Sequence, residues 1–421
     1  MVSRPLYLDR IIPHLGNPLI KVLTGMRRTG KSALLALLRD HLLERGAKPA
    51  QICWIDKEDL AFDQIRDYEQ LAAHVDAWFA PPQKTRRTKT PGRAAQLKRY
   101  LFIDEVQEIA QWERAVRHYA KQPGMEIFIT GSNSNMLSSE LATQLAGRYV
   151  EFRVHPLCFR EYLRFDPSGT FDAYLRTGGL PGVVLLKDEV TRQQALEGIL
   201  HTVLFRDVIT RYQVRNGALL ADILKFIAVN IGYPTATKSI ADFLKKERLS
   251  LAFETVRDYL KFYEHASLIH AVGWADTAGK RTLELNQKYY FSDIGVRNRL
   301  TGWRDDYRGQ LLENVVYMEL LVRGYAVTAG RAGVQEIDFV AERAGQKLYV
   351  QVAYLLASPE TVEREFKPLL AIRDAYPKLV LSMDTNWGED HQGVQRLNLV
   401  DWLRGGSGGR KGEKSGANPL N

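Results

Sequence analysis

The chain has 421 residues, which sets an expectation of two or three domains, and its hydrophobic content of 45% is ordinary for a globular protein. Lys and Arg outnumber Asp and Glu by 58 to 49, giving a net charge of +9. No run is long and apolar enough to cross a bilayer, the start Met1–Tyr7 lacks the apolar core of a signal peptide, and the two cysteines, Cys53 and Cys158, have no zinc-like spacing; a cytoplasmic protein with reduced thiols and no membrane partner is expected.

The first predicted element is a buried strand over Leu19–Thr24, followed by Gly25-Met26-Arg27-Arg28-Thr29-Gly30-Lys31-Ser32 and then a helix opening at Ser32. The spacing Gly-x-x-x-x-Gly-Lys-Ser is that of a phosphate-binding loop. Strand, glycine loop and helix in this order let successive backbone N–H groups surround phosphate oxygens at a helix N-terminus. Gly25, Arg28, Thr29, Gly30, Lys31 and Ser32 are the candidate nucleotide-binding residues. Lys31 reaches the β and γ phosphates, and Ser32 holds Mg²⁺. An ordinary glycine turn is the competing reading, and the flanking strand and helix argue against it.

Between Pro81 and Arg99 lie seven basic residues and no acid. This basic stretch, 84–99, reads either as a solvated loop insertion or as an electrostatic contact with DNA; the absence of interleaved aromatics favours the first. A second strand, Arg99–Asp104, ends in Asp104-Glu105. Asp104 is the candidate Mg²⁺ ligand through water, and Glu105 the residue that polarises the attacking water. A third strand, Glu126–Thr130, ends in Gly131-Ser132-Asn133. Ser132 is the candidate sensor of the terminal phosphate, with Asn133 close behind, and a plain turn is the alternative. Arg148, in Leu145-Ala146-Gly147-Arg148-Tyr149, is the candidate arginine finger, acting in cis or in trans; the trans case implies a homo-oligomer.

Taken in order, GMRRTGKS, LFIDEVQEIAQWE, ITGSNS, LAGRY and HPLCFREYL resemble a family of bacterial and archaeal AAA-type P-loop ATPases whose C-terminal domain of unknown function is related to restriction endonucleases. Gly178-Gly179-Leu180-Pro181, Phe205-Arg206-Asp207, Lys288–Gly295 and Glu336–Val340 resemble further signatures of that family. The resemblance runs from about residue 4 to residue 403. It implies an α/β fold with a parallel AAA-type sheet, and it carries Lys31, Ser32, Asp104, Glu105 and Arg148 over as site residues, with ATP and Mg²⁺ as cofactors.

The remaining elements give the expected domains. Residues 1–150 form the ATPase core, and 151–215 a helical lid interrupted at Gly178-Gly179. Residues 216–304 read as winged-helix-like: helices over Leu219–Asn230, Ser239–Lys245 and Glu254–His265, then a hairpin of Leu268–Val272 and Thr282–Leu285 around Asp276–Gly279. The third helix places Val256, Tyr259, Leu260 and Tyr263 on one face and exposes Glu254, Arg257, Asp258, Lys261 and Glu264, a mixed surface that favours protein packing over DNA. Residues 305–403 follow the order α-β-β-β-α-β of restriction-endonuclease-like folds, with Glu313, Glu336, Asp338 and Gln351 as the candidate carboxylate centre. Gln351 is neutral, and Ala353 stands where such nucleases carry lysine, which argues against phosphodiester cleavage. Residues 404–421 read as a disordered tail.

The sequence thus predicts a Mg²⁺-dependent, ATP-hydrolysing AAA-type ATPase coupling nucleotide state to winged-helix and nuclease-like domains. The alternative is a nucleotide-gated DNA- or protein-binding switch with slow hydrolysis and a degenerate nuclease-like domain.

Overall fold

A computed structural model describes residues 2–80, 98–132, 145, 147–246, 253–276, 286–332, 335–385 and 390–405. Asn133, most of the basic stretch, the expected strand Thr282–Leu285 and the tail from residue 406 lie outside them. The chain divides into two compact units, one built on residues 1–154 with 265–267, the other on 155–264 and 268–421.

The first unit is organised by five parallel strands: β1 (Ile20–Thr24), β2 (Ile52–Asp56), β3 (Arg99–Asp104), β4 (Met125–Gly131) and β5 (Tyr149–Arg153), in the order β2-β3-β4-β1-β5. Both faces of the sheet are covered, so β1 and β4 are buried at every residue and read as continuous apolar runs rather than alternating ones. Alternate side chains still go to opposite faces. Val22, Ile103 and Ile129 pack with Trp112, Val116 and Tyr119, whereas Leu23, Phe102 and Phe128 pack with Leu34, Leu35 and Leu38. The one charge inside β1 is neutralised locally. Lys21 is fully buried, its Nζ 2.6 Å from Glu126 Oε1 and 3.0 Å from the Asn17 carbonyl. Burial lowers its pKa against the pull of Glu126. Strand β5 runs to Arg153, past the expected start of the helical lid at residue 151, and the helices begin at Phe159.

In the second unit, helices span Phe159–Phe165, Phe171–Thr177 and Glu189–Thr202, the last continuing as a π-helix over Val203–Thr210. The double glycine between the second and third has a steric cause. Gly178 has φ +76°, and a Cβ there would fall 2.2 Å from Asp293 Oδ1; one on Gly179 would fall 2.2 Å from the Leu157 carbonyl oxygen. Asp293 accepts the Gly179 N–H at 2.7 Å and the Val296 N–H at 3.0 Å, so the glycines let one carboxylate tie two helix ends together.

Helices Gly217–Val229, Thr237–Lys246 and Phe253–His265 follow, with the expected apolar face of the third buried. Glu264, expected on its exposed face, is instead half-buried, and burial lifts its carboxyl to about 7 against the pull of Lys261. These helices accompany an antiparallel sheet, β6 (Thr235–Ala236), β9 (Asn286–Phe291) and β7 (Ile269–Val272), in which β9 is central. The partner of β7 is therefore β9, one segment later than the hairpin expected from the sequence. The start of the expected turn is also a strand: β8 (Trp274–Asp276) joins a six-stranded sheet in parallel with the strand Ala326–Ala332.

That sheet has the order β14-β13-β12-β11-β10-β8, with β10 (Ala326–Ala332), β11 (Gln335–Arg343), β12 (Gln346–Val352), β13 (Lys378–Ser382) and β14 (Gln395–Asn398). Helix Arg308–Val322 precedes it and helix Pro359–Leu370 crosses from β12 to β13. The crossing helix stops at Leu370, just after Pro368. Strand β14 and helix Leu399–Leu403 extend the expected element order.

Candidate functional site

The sheet order brings the C-terminal ends of β1, β3 and β4 side by side, where ligands of such sheets bind. The loop after β1 is shaped by positive φ at Gly25, Arg28 and Gly30, and helix Lys31–Glu44 opens directly from Gly30. Gly25 lies against the end of β5. The Val154 N–H donates to the Thr24 carbonyl at 2.7 Å, and a Cβ on Gly25 would stand 2.1 Å from the Val154 carbonyl oxygen. Thr29 Oγ1 donates to the Met26 carbonyl at 2.9 Å, and Arg4 Nη1 to the Thr29 carbonyl at 2.7 Å, closing the loop from both sides.

Lys31 is 4% exposed; its ammonium donates to the carbonyls of Gly25 and Met26 at 3.0 and 3.1 Å and lies 3.9 Å from Glu105 Oε1. Burial raises the Asp104 pKa, while Ser32 and Thr130, whose Oγ1 donates to Asp104 Oδ1, work the other way. Glu105 adopts φ +51°, held by its N–H donating to Thr130 Oγ1 at 2.9 Å. Burial disfavours its charge, but Lys31, then Gln107 and Arg27, outweigh burial and hold the carboxyl below its ordinary range. Gln107 Nε2 donates to Glu105 Oε2 and lies 3.4 Å from Ser132 Oγ, which brings Ser132 beside this carboxylate.

Lys31, Ser32, Asp104, Glu105 and Ser132 therefore meet at one place. The hydroxyl of Ser32 and the carboxylate of Asp104, both hard oxygen donors, suit Mg²⁺. Arg28 points its charge to an exposed position. Arg148 stands elsewhere: exposed at the start of β5, its carbonyl accepts the Ile20 N–H at 2.9 Å. From Ile20 to Thr24 the strand rises roughly 13 Å, so Arg148 marks the sheet edge opposite the loop of its own chain. Thr130, Arg27 and Gln107 were not singled out from the sequence. Thr130 alone had a local signal, a hydroxyl in an apolar strand beside the Asp104 strand.

A second charged cluster lies in the other unit. Glu313, Glu336 and Asp338 do converge, but around a lysine from β9, while Gln351 turns aside, its Oε1 accepting the Asp338 N–H at 3.3 Å. Lys288 is 2% exposed; its Nζ is 2.8 Å from Glu313 Oε1, 3.8 Å from Asp338 Oδ1 and paired with Glu336. Burial opposes its charge, and the carboxylates of Glu313, Asp338 and Glu336 outweigh burial and raise its pKa. Tyr290 donates to Glu313, Asp338 accepts the Val352 N–H at 2.8 Å, and Gln351 donates to Glu365 at 2.9 Å. A cleft of about 460 Å³ opens beside these residues. Among the described residues no group of three or more His, Cys, Asp or Glu side chains is arranged to hold a metal ion.

A family model described as an AAA domain matches residues 17–163, and one for a domain of unknown function, DUF8612, matches residues 168–307. An uncharacterized protein of Haemophilus influenzae is 34% identical over 411 residues, 96% of this chain and 98% of its own. One from Methanocaldococcus jannaschii is 28% identical over 374 residues, 83% of this chain and 77% of its own. Among solved structures, a Walker-type ATPase of Pyrococcus abyssi is 20% identical with a TM-score of 0.49, covering 71% of this chain and 96% of its own. Over nearly its whole length the chain belongs to one family with the Haemophilus influenzae protein, and its N-terminal part is a P-loop AAA-type domain.

Proposed function

We propose that the first unit binds ATP with Mg²⁺ and hydrolyses it. The observation that carries this is the meeting of Lys31, Ser32, Asp104 and Glu105 at the mouth of the loop. The loop N–H groups and Lys31 bind the β and γ phosphates, which draws the lysine away from the Gly25 and Met26 carbonyls. Ser32 and Asp104 hold the magnesium, which supplies charge neutralisation at the phosphates. Glu105, charged and freed of Lys31, accepts the proton of the attacking water, while Thr130 and Gln107 fix its orientation. Water oxygen bonds to the terminal phosphorus, the bridging oxygen leaves with ADP, and the proton passes to Glu105. A finger role for Arg148 falls to a neighbouring copy of the chain.

Glu105→Gln tests the assignment. The variant is expected to bind ATP like the unaltered protein and turn it over roughly 10²–10⁴-fold more slowly. Turnover at the normal rate would refute the role of Glu105.

The second unit is read as the part that responds to the nucleotide. Three helices with the sheet β6-β9-β7 support a winged-helix-like reading of residues 216–304. The helix, three strands, helix and strand of residues 305–403 support a restriction-endonuclease-like one. Because Lys288 fills the carboxylate centre and Ala353 stands where such nucleases carry lysine, this domain serves binding or assembly rather than cleavage.

A further inference from the structure

The ATP reading leaves one enclosed cation in the loop without a task. Arg27 and Arg28 are adjacent, yet Arg28 is exposed and Arg27 is 5% exposed. Burying a guanidinium is costly unless charges nearby compensate it. Arg27 has such a charge. Its Nη1 lies 3.2 Å from Oε1 of Glu58, in the turn after β2. Its partner Glu58 is 46% exposed, so water screens that end of the pair and another anion can compete for Arg27.

The position of Arg27 in the loop is as telling as its partners. The preceding carbonyls, of Gly25 and Met26, hold the ammonium of Lys31. Arg27 therefore leaves the backbone one residue beyond the place where the phosphate-binding lysine is parked. A terminal phosphoryl group between Lys31 and Glu105 lies within the field of Arg27. Arg148, the other arginine considered for that group, stands at the opposite edge of the sheet.

The geometry points to Arg27 as a same-chain arginine that engages the terminal phosphoryl group during hydrolysis and rests on Glu58 when no nucleotide is present. This inference depends on the ATP reading of the loop. As the water oxygen bonds to phosphorus and the bridging oxygen departs with its electron pair on ADP, negative charge spreads over the equatorial oxygens. A planar guanidinium matches two of them at once, which an ammonium does not. An arginine so placed stabilises the transition state more than the bound substrate, so its loss falls on kcat rather than KM.

The test uses the full-length chain with Mg²⁺. Unaltered protein, Arg27→Ala, Arg27→Lys and Arg148→Ala are compared for fluorescent ATP binding, steady-state turnover and capture of ADP with aluminium fluoride, a mimic of the transferring phosphoryl group. Thermal melts check that each variant is folded. Arg27→Ala is expected to bind ATP within about threefold of the unaltered protein, to lose about 10³-fold or more in kcat, and to lose ADP–aluminium fluoride capture. Arg27→Lys is expected to restore little of either, because the forked contact is absent. Arg27→Ala with normal turnover, or with ATP binding lost in step with capture, overturns the inference while the ATP reading stands. An unaltered protein that binds no ATP overturns both.

Discussion

Lys31→Ala is expected to abolish ATP binding at micromolar nucleotide while leaving the protein folded. The side chain is almost wholly enclosed and carries the positive charge that faces Gly25, Met26 and Glu105. Charge-assisted hydrogen bonds to phosphate contribute about 1.5–3 kcal/mol each; losing two weakens binding roughly 10²- to 10⁴-fold. The same substitution acts on Glu105. Burial pushes its carboxyl up, and Lys31 is the largest influence pulling it down. In the unaltered protein the folded-state value lies below the ordinary 4.5. The pair therefore contributes stability that is present above 4.5 and is lost as pH falls through the depressed folded value. Without Lys31 that contribution vanishes, and melting temperature depends less steeply on pH over the acid range. Isothermal titration with ATP and thermal melts across that range measure the two effects. A variant that binds ATP with unchanged affinity would remove the loop from the nucleotide site.

The second large effect is expected at Lys288. Lys288→Met keeps the length of the side chain and removes its charge, leaving Glu313, Glu336 and Asp338 facing one another. Burial and the neighbouring Glu313 already raise the Asp338 pKa, and Lys288 is what opposes them. Removing one member of a buried ion pair costs about 3–5 kcal/mol, a large share of the roughly 5–15 kcal/mol by which domains are stable. The expected result is a second unit that melts well below the first, seen as a separate early transition in calorimetry or urea titration. Adding Glu313→Gln to Lys288→Met is expected to recover part of the loss, since one repelling charge goes. A single variant that melts like the unaltered protein would show that the ammonium is not what holds β9 to helix Arg308–Val322 and β11.

What could be read from the sequence follows the distance over which each feature is encoded. Gly25 to Ser32 is contiguous, and its strand and helix adjoin it, so loop, lysine and helix N-terminus were all legible. Asp104 and Glu105 were legible because they terminate an apolar run. Thr130 touches Asp104 across 26 positions and Arg27 touches Glu58 across 31, so neither contact shows in a local pattern. Arg148 illustrates another limit. Its place downstream of β4 was correct, but order along the chain does not say at which end of the sheet a residue falls; the parallel pairing of β5 with β1 does. Ala353 was read as a missing positive charge in the carboxylate centre. The centre has one, delivered from β9 of a different sheet, at a separation no strand periodicity reports. The double glycine at 178–179 had no derivable reason until Asp293, 114 residues beyond Gly179, was seen between the helix ends.

Gly25 carries a lesson for anyone dissecting this motif by mutagenesis. The carbonyl of Val154 occupies the space a methyl group would need, so the residue is dictated by the seam between two neighbouring strands and would be required in a chain that never met a nucleotide. An alanine here would prise the edge strand from its neighbour, and the inactive protein so obtained would report a broken scaffold rather than a lost ligand contact. Side-chain changes at Lys31 and Ser32, which leave that seam intact, are the ones that separate recognition from assembly.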